Sequence, residues 1–133
     1  MSSSKELIGF DRSDSGRLGF AIGAVFDQAI TLAEFRRWAE DVYVNSDSAP
    51  LFLLDLSEFT GPLSHIFRII GFVPHWPFAE ADKKALIGIA YLRNQASIDV
   101  QYSREECLSR LKSSSVVRQT FEKEFPFVPI PAP

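Results

Sequence analysis

An apolar stripe of helical period follows Thr31 and determines the fold class that this sequence predicts. Apolar side chains recur there at spacings of three and four residues, at Leu32, Phe35, Trp38, Ala39, Val42 and Tyr43. This period of about 3.6 residues is typical of a helix that buries one face. Thr31 and Glu34 stand three residues apart, as in a capping box, where two side chains bond free amides of the first turn. We therefore predict a helix over 32–45.

Shorter segments of the same periodicity fill the rest of the chain and are separated by turn residues. Further helices are predicted near 18–26, after Pro50, over 62–72 and 79–94, after a second capping box of Ser103 and Glu106, and through the stripe of Val117, Phe121 and Phe125. The run ALIGIAYL within 79–94 would also fit a buried strand. Its acidic start and Arg93 at its end favour a helix, because they complement the helix dipole.

These patterns predict an all-α protein, a compact single-domain bundle of about six or seven short helices over 1–133. A length of 133 residues suits one domain with an ordinary core. The polar residues 1–4 are expected to form a flexible tail. Residues 127–133 are rich in proline and cannot be helical, so we expect an extended C-terminal tail over an apolar groove.

Composition argues against several functional classes. The single cysteine, Cys107, cannot form an internal disulfide, and its position beside Leu108 and Leu111 suits a small buried apolar residue. The longest apolar run, 85–92, is far shorter than the roughly 20 residues that span a membrane, and residues 1–10 lack the pattern of a signal peptide. With an isoelectric point of about 5.4, the chain is not expected to bind nucleic acid. We expect a cytoplasmic protein without membrane association.

Negative charge is concentrated in one segment of the chain. Between Trp38 and Phe67 there are five carboxylates and no lysine or arginine: Glu40, Asp41, Asp47, Asp55 and Glu58. Clustered carboxylates can attract and orient a basic partner, although a solvated surface without a partner explains the charge equally well. Asp55 lies in a nearly all-apolar run, so we expect it at the rim of exposed leucine and phenylalanine side chains.

Aromatic side chains crowd the turn at 74–77, whose sequence is PHWP. Phe72, His75, Trp76 and Phe78 lie in or beside it. Exposed aromatic residues often anchor a protein partner. Trp76 has two interpretations of equal weight, an anchor for a partner or a lid over the protein's own core.

Patterns for metal binding and catalysis are missing from the sequence. His65 and His75 are the only histidines and belong to no HExxH or CxxC arrangement. Asp55 and Glu58 share a predicted helix face, but two solvated carboxylates there are far more common than a catalytic pair. We therefore expect no metal, no cofactor and no enzymatic activity. The rival prediction is an unfamiliar active site that brings His65, His75 and Asp55 into one pocket.

Three segments give the chain a family resemblance. They are VFDQAITLAEFRRWAEDVY at 25–43, APLFLLDLSEF at 49–59 and VVRQTFEKEFPF at 116–127, about a third of the chain. In these segments and in the order of its helices, the chain resembles the small all-helical immunity proteins of bacterial polymorphic toxin systems, including those of contact-dependent growth inhibition. The resemblance implies a protein that binds one cognate toxin domain in the cytoplasm of the producing cell and blocks its active site. Many such toxins are nucleases with basic clefts, which an acidic inhibitor would suit.

The predicted function is therefore stoichiometric protein binding. Asp41, Asp47, Asp55 and Glu58 would meet basic groups of the toxin, with Trp76 as an apolar anchor, in a one-to-one complex of a monomer. The alternative is a non-catalytic adaptor or regulatory module that binds a protein through the aromatic turn. Such an adaptor would bind with little sensitivity to salt.

Overall fold

The computed structural model describes residues 7–97 and 101–132, and within these ranges the protein is all-α, as predicted. The described residues contain no strand. The helices are α1 (Gly16–Phe26), α2 (Leu32–Val44), α3 (Phe52–Ser57), α4 (Ile66–Ile70), α5 (Lys83–Leu92), α6 (Arg104–Ser113) and α7 (Ser115–Glu124). The predicted tail at 1–4 and Pro133 lie outside the described residues.

The helix boundaries follow the predicted segments closely, except that two segments begin with a 3-10 turn: 62–72, and 79–94, where Glu80–Asp82 precedes α5. The helix expected at 32–45 is α2, and the ambiguous run ALIGIAYL is part of α5 and almost wholly buried. The segment 62–72 begins instead with a 3-10 turn, Leu63–His65, because the amide of His65 bonds the carbonyl of Pro62 three residues back, at 2.9 Å. Residues 127–132 are not helical, as predicted, but the segment starts in a turn, where the amide of Val128 donates to the carbonyl of Phe125 at 3.0 Å, and Val128 is buried.

Contacts between residues divide the described chain into two compact units, and the boundary falls within α1. Unit 1 contains the described residues up to Phe20 and Leu32–Pro77. Unit 2 contains Ala21–Thr31 and the described residues from Phe78 onward. The single-domain organisation stays a prediction. No helix in the described part of the chain is both long and apolar enough to cross a membrane.

Unit 1 is organised around Trp38 of α2, whose side chain is buried. Its ring stacks on Phe10 with the ring centroids 5.7 Å apart and meets Phe35 at 5.6 Å. Helix α3 packs against α2. The guanidinium group of Arg36 donates to the carbonyl of Phe59 at 3.1 Å and so connects the segment that follows α3 to α2. The predicted apolar stripe of α2 is therefore the packing surface of this unit.

The aromatic turn of unit 1 lies directly on the first part of α1. The backbone amide of His75 donates to the hydroxyl of Ser15 at 3.0 Å, and the Nδ1 atom of His75 is 2.8 Å from the same oxygen. One helical turn further on, a Cβ atom at Gly19 would overlap the backbone carbonyl of His75. The absence of a side chain at Gly19 therefore permits the close approach of the turn to α1.

Replacement of Gly19 by alanine should destabilise the protein by about 2–3 kcal/mol, because the added methyl group meets backbone that cannot rotate away. Gly16→Ala is the matched control in the same helix, since its Cβ would lie 3.4 Å from Pro77, an ordinary contact. Chemical denaturation of the two variants measures the difference. Equal stability of the two would contradict the close packing of the turn on α1.

Unit 2 depends on a close crossing of α5 and α6. A Cβ atom at Gly88 would lie 2.7 Å from the carbonyl oxygen of Cys107, so only glycine allows this helix separation. Cys107 is itself fully buried, as its position among leucines predicted. Burial raises the pKa of its thiol, and a thiol held in the protonated form is a poor nucleophile.

Two ion pairs connect α6 to the start of α5. Ser103 caps α6 by accepting the amide of Glu106 at 3.1 Å, which confirms half of the predicted capping box. The carboxylate of Glu106 does not reach back to Ser103 and bonds Lys84 at 2.6 Å instead. The second pair joins Asp82, which is buried, to Arg110 through contacts of 2.8 and 2.9 Å.

Asp82→Asn should lower stability by about 2 kcal/mol, because it leaves the Arg110 guanidinium without its carboxylate. Burial acts to raise the pKa of Asp82, but hydrogen bonds from Ser114 and Arg110 outweigh it and leave the pKa below its usual value. The contribution of this carboxylate is therefore complete above about pH 4 and is lost as the pH falls further. Denaturation at pH 7 and pH 3 should show a smaller difference between variant and parent at the lower pH. Glu105→Gln, at an exposed position of α6, is the control.

Candidate functional site

The four predicted acidic site residues all lie in unit 1 and all are exposed. Asp41 is on α2, Asp47 is in the connection between α2 and α3, Asp55 is on α3, and Glu58 directly follows α3. Because α2 and α3 pack against each other, the acidic segment is carried by one packed pair of helices and its short connection. Their binding role stays a prediction.

The solvent side of α3 combines carboxylates with exposed leucines. Leu51, Leu54, Asp55 and Glu58 follow one another at spacings of three, one and three residues, so they share one side of the helical turn. Leu51 is 72% exposed and Leu54 is 41% exposed. The opposite side contains Leu53 and Leu56, which are fully buried. We call the four exposed residues the acidic leucine face.

The carboxylates differ in how far neighbouring cations compensate them. The carboxylate of Asp41 lies 3.8 Å from the guanidinium group of Arg37, one turn earlier on α2. Arg37 directly precedes the acidic segment in the sequence, and the helix places its side chain beside that segment. An exposed pair of this length contributes little energy. Among the described residues, Asp55 and Glu58 form no ion pair. The acidic leucine face is therefore the part of the segment whose charge is left for a partner.

The ring of Trp76 is partly covered by other residues of unit 1 and is not fully exposed to solvent. Its ring stacks on that of the buried Phe20, with centroids 5.6 Å apart and an angle of 12° between the planes. The side chain is half-buried. This arrangement favours the interpretation of Trp76 as a lid over the core of unit 1 more than that of an anchor.

The residues of the rival active site make no contact with one another in the part of the chain that the structure describes. His75 is bound to Ser15, whereas His65 is exposed in the 3-10 turn and Asp55 is exposed on α3. The contact of His75 with Ser15 is a serine–histidine pair that sequence reasoning missed. Its serine is buried and is engaged by both the ring and the backbone of His75, so it serves to hold the turn.

A metal centre would need several convergent ligands. Within 7–97 and 101–132, no group of three or more histidine, cysteine or acidic side chains is arranged to hold a metal ion. The carboxylate of Asp11, in the loop before α1, accepts two backbone amides and the hydroxyl of Ser13 at 2.7–2.9 Å. This carboxylate stabilises its own loop.

Unit 2 contains an open cleft that the sequence did not predict. Two adjoining cavities of about 400 and 340 Å³ share Asp27, Ile87 and Tyr102 as lining residues. The larger is also lined by Glu80, Ala81, Lys83 and Lys84. Asp27 follows the last residue of α1 and is half-buried, with no side-chain hydrogen bond to any described residue.

Burial raises the pKa of Asp27 to about 6, with the charge of Glu80 adding to the effect and that of Lys83 opposing it. A carboxylate held in this way is destabilised when it ionises near neutral pH. Sequence reasoning passed over Asp27. The available signal was a single carboxylate in the run AIGAVFDQAI at 21–30, whose one other polar side chain is Gln28.

Asp27→Asn should stabilise the protein at pH 7.5 by about 1–2 kcal/mol, since the uncharged amide avoids burial of a charge. The folded pKa lies above the unfolded value near 3.8. Stability linked to Asp27 is therefore complete below about pH 4 and is lost as the pH rises through about 6. Denaturation of the variant and parent at pH 4.5 and pH 7.5 measures this difference. A benefit of equal size at both pH values would show that ionisation of Asp27 is not its cause.

Comparison of the chain with protein-family models, with curated proteins and with solved structures finds no match. The functional proposals therefore depend on the chemistry of the chain's own surfaces.

Proposed function

We propose that the protein is an immunity-type inhibitor that binds one basic toxin domain stoichiometrically and blocks it. The observation that carries this proposal is the acidic leucine face, where Leu51 and Leu54 are exposed on the same side of α3 as Asp55 and Glu58. Apolar contact area combined with charge is the usual composition of a protein-binding surface. The family resemblance of the segment at 49–59 supports the same function.

The two kinds of side chain would have different roles in binding. Leucine side chains that become buried in a complex supply affinity, at about 1.5–3 kcal/mol for full burial of each. Carboxylates speed the approach of a basic partner and exclude acidic ones. A basic partner is favoured because Asp55 and Glu58 form no ion pair with any residue in the described ranges. A nuclease fits this requirement, since its substrate cleft must attract phosphate.

Asp41 and Asp47 would lie further from the centre of the interface. Asp41 is already compensated in part by Arg37. Val44, near the end of α2, is 71% exposed and lies between them in sequence. We propose that this segment contributes at the rim of the interface, where single charges affect the association rate more than the affinity. Trp76 as an anchor stays a prediction.

Charge reversal on the acidic leucine face should abolish protection. The double variant Asp55→Lys/Glu58→Lys is expected to weaken toxin binding by about 3 kcal/mol, roughly 100-fold, because two attractive contacts become repulsive. The measurement is co-expression with any toxin-like domain found to be encoded immediately upstream of the gene, followed by calorimetry of the purified pair. Both substituted side chains are exposed, so the variant should fold normally, which circular dichroism and thermal denaturation check.

The control is Glu105→Lys/Glu122→Lys, which makes the same change in net charge on exposed positions of α6 and α7. If this control loses as much affinity as the first variant, total charge and not the acidic leucine face determines binding. A third variant, Leu51→Ala/Leu54→Ala, should reduce affinity without changing its dependence on salt. If cells that express both the toxic domain and the unmodified protein are still killed, the immunity function itself is contradicted.

The adaptor alternative has one observation in its favour. Val73, beside the aromatic turn, is 75% exposed. An adaptor that used this turn would retain its partner after reversal of Asp55 and Glu58 and would bind with little sensitivity to salt. The charge-reversal experiment therefore separates the two functions.

A further inference from the structure

We propose that the cleft of unit 2 is a binding site for an aliphatic ammonium group, with the carboxylate of Asp27 as its charge partner. This site is separate from the acidic leucine face, which lies in unit 1. Its two adjoining cavities, of about 400 and 340 Å³, are within the size range of small-ligand sites.

The charges around the cleft leave one carboxylate uncompensated. The Nζ atom of Lys83 lies 2.9 Å from a carboxylate oxygen of Glu80. The Nζ atom of Lys84 lies 2.6 Å from one of Glu106. Each of these lysines therefore has its own acidic partner. Asp27 forms no ion pair with the described residues, although the charges of Lys83 and Glu80 both act on it.

The lining selects the chemical class of the ligand. Asp27 supplies negative charge, while Ile87, Ala81 and the aromatic ring of Tyr102 supply an apolar wall. A ligand that suits both has a cationic head and a hydrocarbon stem. A metal ion is disfavoured because it needs several oxygen ligands, and Asp27 is the one lining carboxylate without a cation partner in the described part of the chain. An anionic ligand would have to displace the existing lysine–glutamate pairs.

One face of the Tyr102 ring is already occupied by an ammonium group of the protein itself. The Nζ atom of Lys84 lies over its ring, 4.7 Å from the centroid. The hydroxyl of Tyr91 holds the backbone carbonyl of Tyr102 at 2.9 Å, which positions the ring against α5. On the side of the second cavity, the exposed Phe26 adds another aromatic wall. Aromatic faces attract cations, so on the side of the second cavity the ring of Phe26 and the carboxylate of Asp27 favour the same ligand.

Titration of the full chain with n-butylammonium chloride, followed by amide NMR spectra, tests the site. Shifts are expected at residues 26–28 and around Tyr102, and n-butanol, a neutral molecule of similar size, should not reproduce them. Binding needs the ionised carboxylate, and the pKa of Asp27 is raised to about 6. The apparent affinity should therefore be about tenfold weaker at pH 5 than at pH 7.5.

Asp27→Asn should remove both the binding and its pH dependence, while Glu105→Gln, which changes an exposed carboxylate outside the cleft, should leave both intact. The asparagine variant is expected to be at least as stable as the parent, so a loss of binding would not reflect unfolding. Unchanged binding in Asp27→Asn, equal shifts with n-butanol, or no shifts with n-butylammonium would each overturn the proposal.

A parallel titration with Nα-acetyl-lysine-N-methylamide distinguishes the two sources of an ammonium group. Tighter binding of this compound than of n-butylammonium would identify the ligand as a lysine side chain of a protein. Tighter binding of n-butylammonium would identify it as a small free amine. Either result supports the ammonium site, and the outcome does not depend on whether the acidic leucine face binds a toxin.

Discussion

Helix α3 is only six residues long, and its dependence on burial determines what unit 1 can present to a partner. A helix of this length is not stable in water by itself, so its position depends on packing against its neighbours. Leu53 and Leu56 provide that packing and are fully buried. The remaining apolar residues at the other side of the helix, Leu51 and Leu54, are therefore exposed beside Asp55 and Glu58. The acidic leucine face follows from this division.

In unit 2, the packing of α6 against α5 determines which charged side chains near the cleft form ion pairs. Gly88 allows α5 and α6 to cross closely, and this crossing brings Lys84 within reach of Glu106 and Asp82 within reach of Arg110. In these two ion pairs each of the four charged side chains has a partner of opposite charge. Asp27 belongs to neither helix and forms no ion pair with the described residues, although the charge of Lys83 acts on it. Among the carboxylates that line the cleft, Asp27 is therefore the one without an ion pair to a described residue.

Local patterns predicted most of the helices, because apolar residues at helical spacing in the sequence mark the face that each helix buries. The stripe of α2 and the Ser103 cap of α6 show this. The prediction was wrong where a side chain had a better distant partner. Glu106 was expected to complete the capping box, but an ion pair with Lys84 is stronger than a hydrogen bond to an exposed amide. Trp76 was ambiguous for a similar reason, since its neighbour Phe20 is 56 residues away in sequence.

The sequence by itself determined the all-α class, the approximate extent of most helices and the chemical character of the acidic segment. These properties depend on residues within a few positions of each other, where helical period and charge can be seen directly. Only the tertiary structure decided which side of α3 is exposed, that Glu106 pairs with Lys84, and that Asp27 lines a cleft with Tyr102. Burial and the distance between charges depend on residues far apart in the chain. No local pattern contains that information.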